Sequence, residues 1–370
     1  MTPDAIELWW LDQARKETQL KDRLACLNAL EEDFRLLSDG FTTEREGGFD
    51  SYTKSRRAWA AYGLFFFPQT YARVRYIIDE VKERHPSLLS AKRPLRVLDL
   101  GAGTGAATLA VSESLGVEID ATWVDLSSEA LALGKQLVSS VKSLSVTVSV
   151  SDLRQLREGR FDLIVVSYAL NEAFGENADD AMKAWLDAAI SRLDEHGILV
   201  ICEPVVKTFG PRMAKLREWA LGDFGCHMIA PCLHDKACPL AAKGEWCHDV
   251  RSWPMPWAVQ TLNKRLNRTL QDIKFSFLVL TRQAVAQEPE ASQARLVEPV
   301  RWLKGHWEMT GCAADGQLHR YDLLARNFTA DEKEQVRALE RGHVIRVKIE
   351  RALGDGKTLR VTKRDADPSP

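Results

Sequence analysis

No run of about 18 apolar residues occurs in the chain, so no segment has the make-up of a membrane-spanning helix. The start, "MTPDAIELWWLDQARK", is amphipathic and acidic rather than basic and then apolar, unlike a secretory leader. A cytoplasmic protein with no membrane partner is therefore expected. Charge is nearly balanced at −2, which excludes a general affinity for polyanions spread over the whole surface. Cysteine is scarce, 7 in 370 residues, and in a reducing compartment clustered thiols point to metal binding or catalysis before disulfides. No internal repeat and no disorder-prone composition is present; at 45% hydrophobic the chain can bury a sizeable core. A monomer is expected.

The pattern of the chain changes near residue 90. Residues 4–38 carry apolar positions at helical spacing, including Ile6, Trp10, Leu27 and Phe34, and predict a helix. "AWAAYGLFFFPQTYARVRYIIDEVKER" predicts a second helical region with a break or start at Pro68. Residues 1–90 thus read as a helical region. Strands and helices then alternate through residues 91–205: "LRVLDLGAG", "IDATWVDLS", "LSVTVSVSDL", "FDLIVVSYALNEA" and "GILVICEP" are five strand candidates with helices between them. That alternation predicts an α/β fold with a doubly wound parallel sheet. It stops at Pro204. Residues 206–282 form a cysteine-rich region with 12 Lys+Arg against 6 Asp+Glu. Residues 297–365 read as a β-rich segment, with a hairpin turning at "ADG" and an end, "DADPSP", expected to fray.

Gly101, Gly103 and Gly105 stand between the first strand and the next helix. Glycines there permit a tight turn and close approach of a ligand to the backbone. Gly101-x-Gly103-x-x-Ala106 also fits a dinucleotide pattern, and Asp125 at the end of the second strand suits ribose hydroxyls of either NAD or S-adenosylmethionine (SAM). "LDLGAGTG" resembles the first motif of class I SAM-dependent methyltransferases, with Asp99 just before the glycines. On that resemblance Asp152, in "VSDL" after the third strand, is expected near the adenine.

Catalysis is expected at the carboxyl end of the fourth strand. The sequence there is "SYALNE", which makes Tyr168, Asn171 and Glu172 the polar candidates. An Asn/Asp-Pro-Pro-Tyr/Phe motif for methylating amines is absent, and Cys202 in "VICEP" lacks the setting of a cytosine-methylating nucleophile. A helix start capped by Asn171 accounts for the same three residues without chemistry.

The stretch "APCLHDKACPLAAKGEWCH" holds Cys232, Cys238 and Cys247 at C-x5-C-x8-C spacing, loose for zinc, which favours C-x2–4-C. His234, His248, Cys226 and Cys312 are candidates for a fourth ligand. Together with "GFDSYTKSRRAWAAYGLFFFPQTYARV", "KFSFLVL" and "KGHWEMTGCAADGQLHRY", this stretch resembles one family over about residues 35–327. It is the methyltransferase-like family associated with the mitochondrial small ribosomal subunit, which also has bacterial members. The resemblance implies a [4Fe–4S] cluster held by Cys232, Cys238, Cys247 and Cys312, with zinc the alternative, and His234 and His248 near the sulfurs rather than bound. It implies a SAM-dependent methyltransferase-like protein acting on the small ribosomal subunit or its rRNA. A SAM-binding RNA or assembly factor that transfers nothing, and a small-molecule methyltransferase, are the alternatives. Arg45, Lys54, Arg56 and Arg57 are candidate phosphate contacts, and Tyr52 and Trp59 candidate stacking platforms. The family's basic ending is replaced here by "RNFTADEKEQVRALERGHVIRVKIE".

Overall fold

The computed structural model describes all residues except 43–54, 90–92, 176, 208, 266–269, 286–291, 355 and 364–370. Arg45, Tyr52, Lys54 and the end "DADPSP" lie outside the described residues. The chain divides into two units, Met1–Glu203 with Ser252–Ile273, and Pro204–Arg251 with Lys274–Pro370.

The first unit opens with five helices: α1 (Pro3–Thr18), α2 (Arg23–Ala29), α3 (Glu31–Thr42), α4 (Arg56–Phe65) and α5 (Phe67–Arg84). The single helix expected over 4–38 is three. Gln19 turns into the left-handed region at φ 59°, and the Asp22 side chain accepts from Ala25 N, so a new helix starts where the polar "QLKD" stretch offers a cap. At the next junction Pro68 sits in the first turn of α5, where its missing N–H costs nothing. The Trp10 ring is fully buried and lies flat on Gly63 of α4, where a Cβ would stand 1.9 Å from the indole. Burying an indole that completely contributes on the order of 3 kcal/mol.

β1 (Leu95–Leu100), α6 (Ala106–Leu115), β2 (Ile119–Asp125), α7 (Ser128–Val138), β3 (Leu144–Val150), β4 (Phe161–Ser167), α8 (Leu170–Ala173), α9 (Asp179–Ser191) and β5 (Leu193–Glu203) follow. Their strands are parallel in the order β3-β2-β1-β4-β5. The expected doubly wound α/β sheet is present. β1 and β4 are buried on both faces, which is why they read as mostly apolar runs, whereas β3 is an edge and alternates with Ser and Thr. The order reverses between β1 and β4, so their carboxyl ends open the crevice where a ligand is held in such sheets.

The second unit contains α10 (Gly210–Glu218), β6 (His227–Ala230) and β7 (Asp249–Ser252); α11 (Trp257–Arg265) returns to the first unit. β8 (Asp272–Thr281) pairs antiparallel with β6. β9 (Gln293–Leu296), β10 (Arg301–Leu303), β11 (His306–Ala313), β12 (Leu318–Leu324), α12 (Ala330–Arg337), β13 (Val344–Ala352) and β14 (Thr358–Lys363) complete it. β11 and β12 are the hairpin expected around "ADG". α12 was not expected; Thr329 and Glu332 start it with a reciprocal capping box. Around Trp307, Met309, Tyr321, Phe328, Val347 and Val361 these strands enclose their own apolar core. Among the described residues no helix is long and apolar enough to cross a membrane.

Candidate functional site

The turn after β1 places Gly101, Gly103 and Gly105 at φ 72°, 53° and 81°, all in the left-handed region. Gly105 can be nothing larger, since a Cβ would stand 2.2 Å from the Trp123 ring. Beside Gly103 there is open space, so the backbone there can be approached closely. Asp125 closes the loop: its carboxylate accepts from Gly103 N and Ser127 N, each at 2.8 Å. Beneath the loop the buried Asp99 accepts from Thr108 N at 3.1 Å and Thr108 Oγ1 at 2.6 Å. Burial pushes its carboxyl up to about 7 against those two donors. Asp152 lies nearer solvent, tied to Arg154, whose guanidinium keeps the carboxylate below its ordinary range.

After β4 the chain turns sharply at Tyr168, a non-glycine residue at φ 60°. Asn171 and Glu172 belong to the single turn α8. Asn171 does not cap that turn. Glu203, at the end of the neighbouring strand β5, does so: its carboxylate accepts from Ala169 N at 3.2 Å, Leu170 N at 2.9 Å and Asn171 N at 3.4 Å. Burial pushes Glu203 up to about 8, and Glu172 adds to the rise. Two further residues of this crevice come from the helical region. The Arg73 guanidinium of α5 lies over the Tyr168 ring, 4.6 Å from its centre. Tyr62 of α4 is held protonated by burial and by the charges of Asp125 and Glu172. Asp99, the three glycines, Asp125, Tyr168 and Glu172 are therefore neighbours, with Tyr62, Arg73 and Glu203 among them. Nothing in the sequence pattern singled out the last three, although "CEP" at the end of a parallel strand puts Glu203 at the right end of the sheet.

Trp59 is corrected as a stacking platform. It is 1% exposed, packed in α4 with its Nε1 3.3 Å from Glu129. Arg57 is engaged with Asp33 and the Ala29 carbonyl, while Arg56 is exposed.

The second unit holds five cysteines, all free thiols, and four of them share one neighbourhood. The Cys312 thiol, on β11, is pushed up by burial and then by the charges of Cys232, Cys247 and Cys238. Burial pushes Cys247 up to about 12, with Asp249 and Cys232 contributing. Cys226 is buried apart from this group, influenced by Arg282 and Asp235 instead. Arg217 Nε donates to Cys232 Sγ at 3.2 Å, and its Nη2 donates to the carbonyls of His234 and Lys236. His234 Nε2 lies 3.4 Å from Cys312 Sγ. His248 faces Arg341 and Lys274. Among the described residues no set of three or more His, Cys, Asp or Glu side chains is positioned to hold a metal ion. The donor chemistry nevertheless fits a thiolate-bound centre. Burial and the neighbouring sulfurs raise the Cys247 and Cys312 thiols, which stay neutral unless a cation joins them, and Arg217 supplies the kind of N–H that thiolates bound to iron accept.

Relatives cover parts of the chain. It is 28% identical over 165 residues to a hybrid PKS-NRPS synthetase from Acremonium sp., covering 42% of this chain and 4% of that one. It is 22% identical over 141 residues to demethylmenaquinone methyltransferase from Staphylococcus aureus (strain MRSA252), covering 37% of this chain. The chain spans about half, 56%, of the latter's length. The magnesium protoporphyrin IX methyltransferase of Synechocystis PCC 6803, solved with SAM, aligns at 14% identity and TM-score 0.37, over 68% of this chain and 97% of that chain. The family model described as mitochondrial small ribosomal subunit Rsm22 matches residues 56–342. The match spans most of the chain and takes in the glycine loop and all four clustered cysteines, and the chain belongs to that family.

Proposed function

We propose that this protein is a SAM-dependent methyltransferase-like factor that acts on the small ribosomal subunit through its rRNA, with a [4Fe–4S] cluster as a structural centre. The observation that carries the reading is one chain of the Rsm22 family holding both an open glycine loop closed by Asp125 and a group of four thiols. Asp125 would hold the ribose hydroxyls of SAM, the loop amides would face its carboxylate end, and Asp152 would stand near the adenine. SAM, when bound, supplies an electrophilic methyl group. This chain's own residues orient the acceptor: Tyr168, Asn171 and Glu172 border the crevice, Arg73 steadies the Tyr168 ring, and Glu203 fixes the turn that carries all three. Tyr62 and Arg73 give the crevice a helical wall that keeps water from the methyl group.

Cys232, Cys238, Cys247 and Cys312 would hold the cluster, which supplies the positive charge their thiolates require and joins β11 to the cysteine loop. Zinc in the same place is the second reading for the metal. A factor that binds SAM and transfers nothing is the second reading for the crevice, and the missing Pro-Pro-Tyr-type motif favours it. Action on cytoplasmic ribosomes is part of the proposal.

The test is transfer of a labelled methyl group from SAM to isolated small subunits, with the wild type and with Asp125→Ala. Transfer that disappears with Asp125→Ala supports the enzyme. SAM binding by calorimetry with no transfer to any subunit assembly state rejects it in favour of the binding factor.

A further inference from the structure

The second unit contains a barrel, of which the cysteine group takes Cys312 on β11. β9 and β10 both run antiparallel to β11, as two halves of one interrupted strand. β11 pairs antiparallel with β12, β12 parallel with β14, β14 antiparallel with β13, and β13 antiparallel with β9, which closes the ring. α12 falls between the third and fourth strands and sends Val336 into the core beside Phe328. A five-stranded barrel with this strand order, one parallel pairing of third with fifth strand and a helix before the fourth, is the OB-fold. Its second and third strands and adjoining loops hold oligonucleotides or oligosaccharides.

Charge decides between those two ligands. β13, β14 and their connection, "VIRVKIERALGDGKTLRVTK", carry six basic and two acidic residues. Arg346, Lys348, Arg351 and Lys357 are exposed. At the other edge, Arg301, Trp302, Leu303 and Lys304 are exposed around the β10–β11 turn. Trp302 is 54% exposed yet anchored, its ring 4.9 Å from that of the buried Trp307 opposite it. The strand face between carries two acids, and both are ion-paired, Glu308 with Arg301 and Asp322 with Arg360. A neutral sugar gains nothing from such a basic surplus; a phosphodiester backbone does. A propped, half-exposed indole is a stacking platform for an unpaired base.

We propose that the barrel of residues 293–363 binds a single-stranded polynucleotide, with Arg346, Lys348, Arg351 and Lys357 on phosphates and Trp302 under a base. Identifying that strand as ribosomal RNA rests on the function proposed above; the binding itself does not. β13 and β14 lie beyond residue 342, where the family match ends.

The full chain is titrated into a labelled single-stranded RNA of about twelve nucleotides, within the span one such fold covers, and anisotropy is read at several salt concentrations. Saturable binding that weakens with salt is expected. The triple variant Arg346→Glu/Lys348→Glu/Arg351→Glu should weaken it at least about tenfold and flatten the salt slope, and Trp302→Ala should weaken it about tenfold. If the Glu variant melts early, the Gln versions of the same three positions serve instead. No binding by the wild type, equal binding by the variants, or binding of duplex RNA alone overturns the proposal. Sedimentation with small ribosomal subunits separates the two readings: RNA binding without subunit association rejects the ribosomal assignment and keeps the barrel, while subunit association without RNA binding does the reverse.

Discussion

Arg295 and Asp249 meet out of water: each side chain is 2% exposed, and Arg295 Nη1 lies 3.1 and 3.0 Å from the two Asp249 oxygens. The same guanidinium donates to the carbonyls of Pro231 and Gly342. One arginine on the first barrel strand therefore fixes the residue before Cys232, the strand after Cys247 and the entry to β13. Asp249 has a second buried partner, Arg251, 2.9 Å from its Oδ2. Arg295→Ala leaves that pair in place and should cost about 3 kcal/mol in chemical unfolding, whereas Asp249→Leu strands two buried arginines and should cost more, about 5 kcal/mol. Equal loss in the two variants would show that the ion pairs matter only through packing.

Glu203 gives a pH signature. Its carboxyl is raised by burial to about 8 from an ordinary value of 4.5. The folded state thus holds a proton that the unfolded state releases. Its contribution to stability is whole below about pH 4.5 and is lost as pH climbs through about 8. Glu203→Gln mimics the protonated side chain. Its melting temperature should match the wild type near pH 5 and exceed it near pH 9; parallel curves across that range would refute the assignment.

Gly105→Ala combines a φ of 81° with a clash against Trp123. A loss of about 3 kcal/mol is expected, from backbone strain and overpacking together, and with it loss of SAM binding by calorimetry. Normal SAM affinity in this variant would take the loop out of the binding site.

Asp125→Asn keeps the shape and removes the charge. SAM affinity should fall about tenfold or more, roughly the worth of a charge-assisted hydrogen bond, while the fold persists by circular dichroism.

Metal content is read on anaerobically purified protein. About four irons and four sulfides per chain, falling sharply in Cys312→Ser, are expected for the cluster. One zinc and no iron would leave the loop as a structural zinc site. Cys226→Ser should leave the metal content unchanged, since Cys226 stands apart from the group.

Much of the α/β half was legible in the residues. Buried parallel strands must be apolar on both faces, so β1 and β4 announce themselves, and a glycine run after the first of them marks the ligand end of the sheet. The residues around that end were partly legible for the same reason: Asp125 and Tyr168 sit at strand termini, where sequence order and spatial order coincide. Tyr62, Arg73 and Glu203 were not, because their closeness to the loop depends on how α4, α5 and β5 pack, and local pattern carries no record of packing partners. The helix expected over 4–38 broke after Thr18 because capping by Asp22 acts over three residues, below the resolution of apolar periodicity.

The cysteines divide along the same line. Their number and clustering, and the resemblance they carry, came from the sequence. That Cys312 approaches Cys232, Cys238 and Cys247 while Cys226 does not was decided by β11 and by Arg217 and Arg295, which tie residues far apart in the chain. The barrel belongs wholly to the tertiary level. Its strands are short and half polar, and its closure rests on β13 pairing β9 and β14 pairing β12, long-range hydrogen bonds between backbones that any residue supplies. Sequence determined which segments could be strands; only the folded chain determined which of them touch.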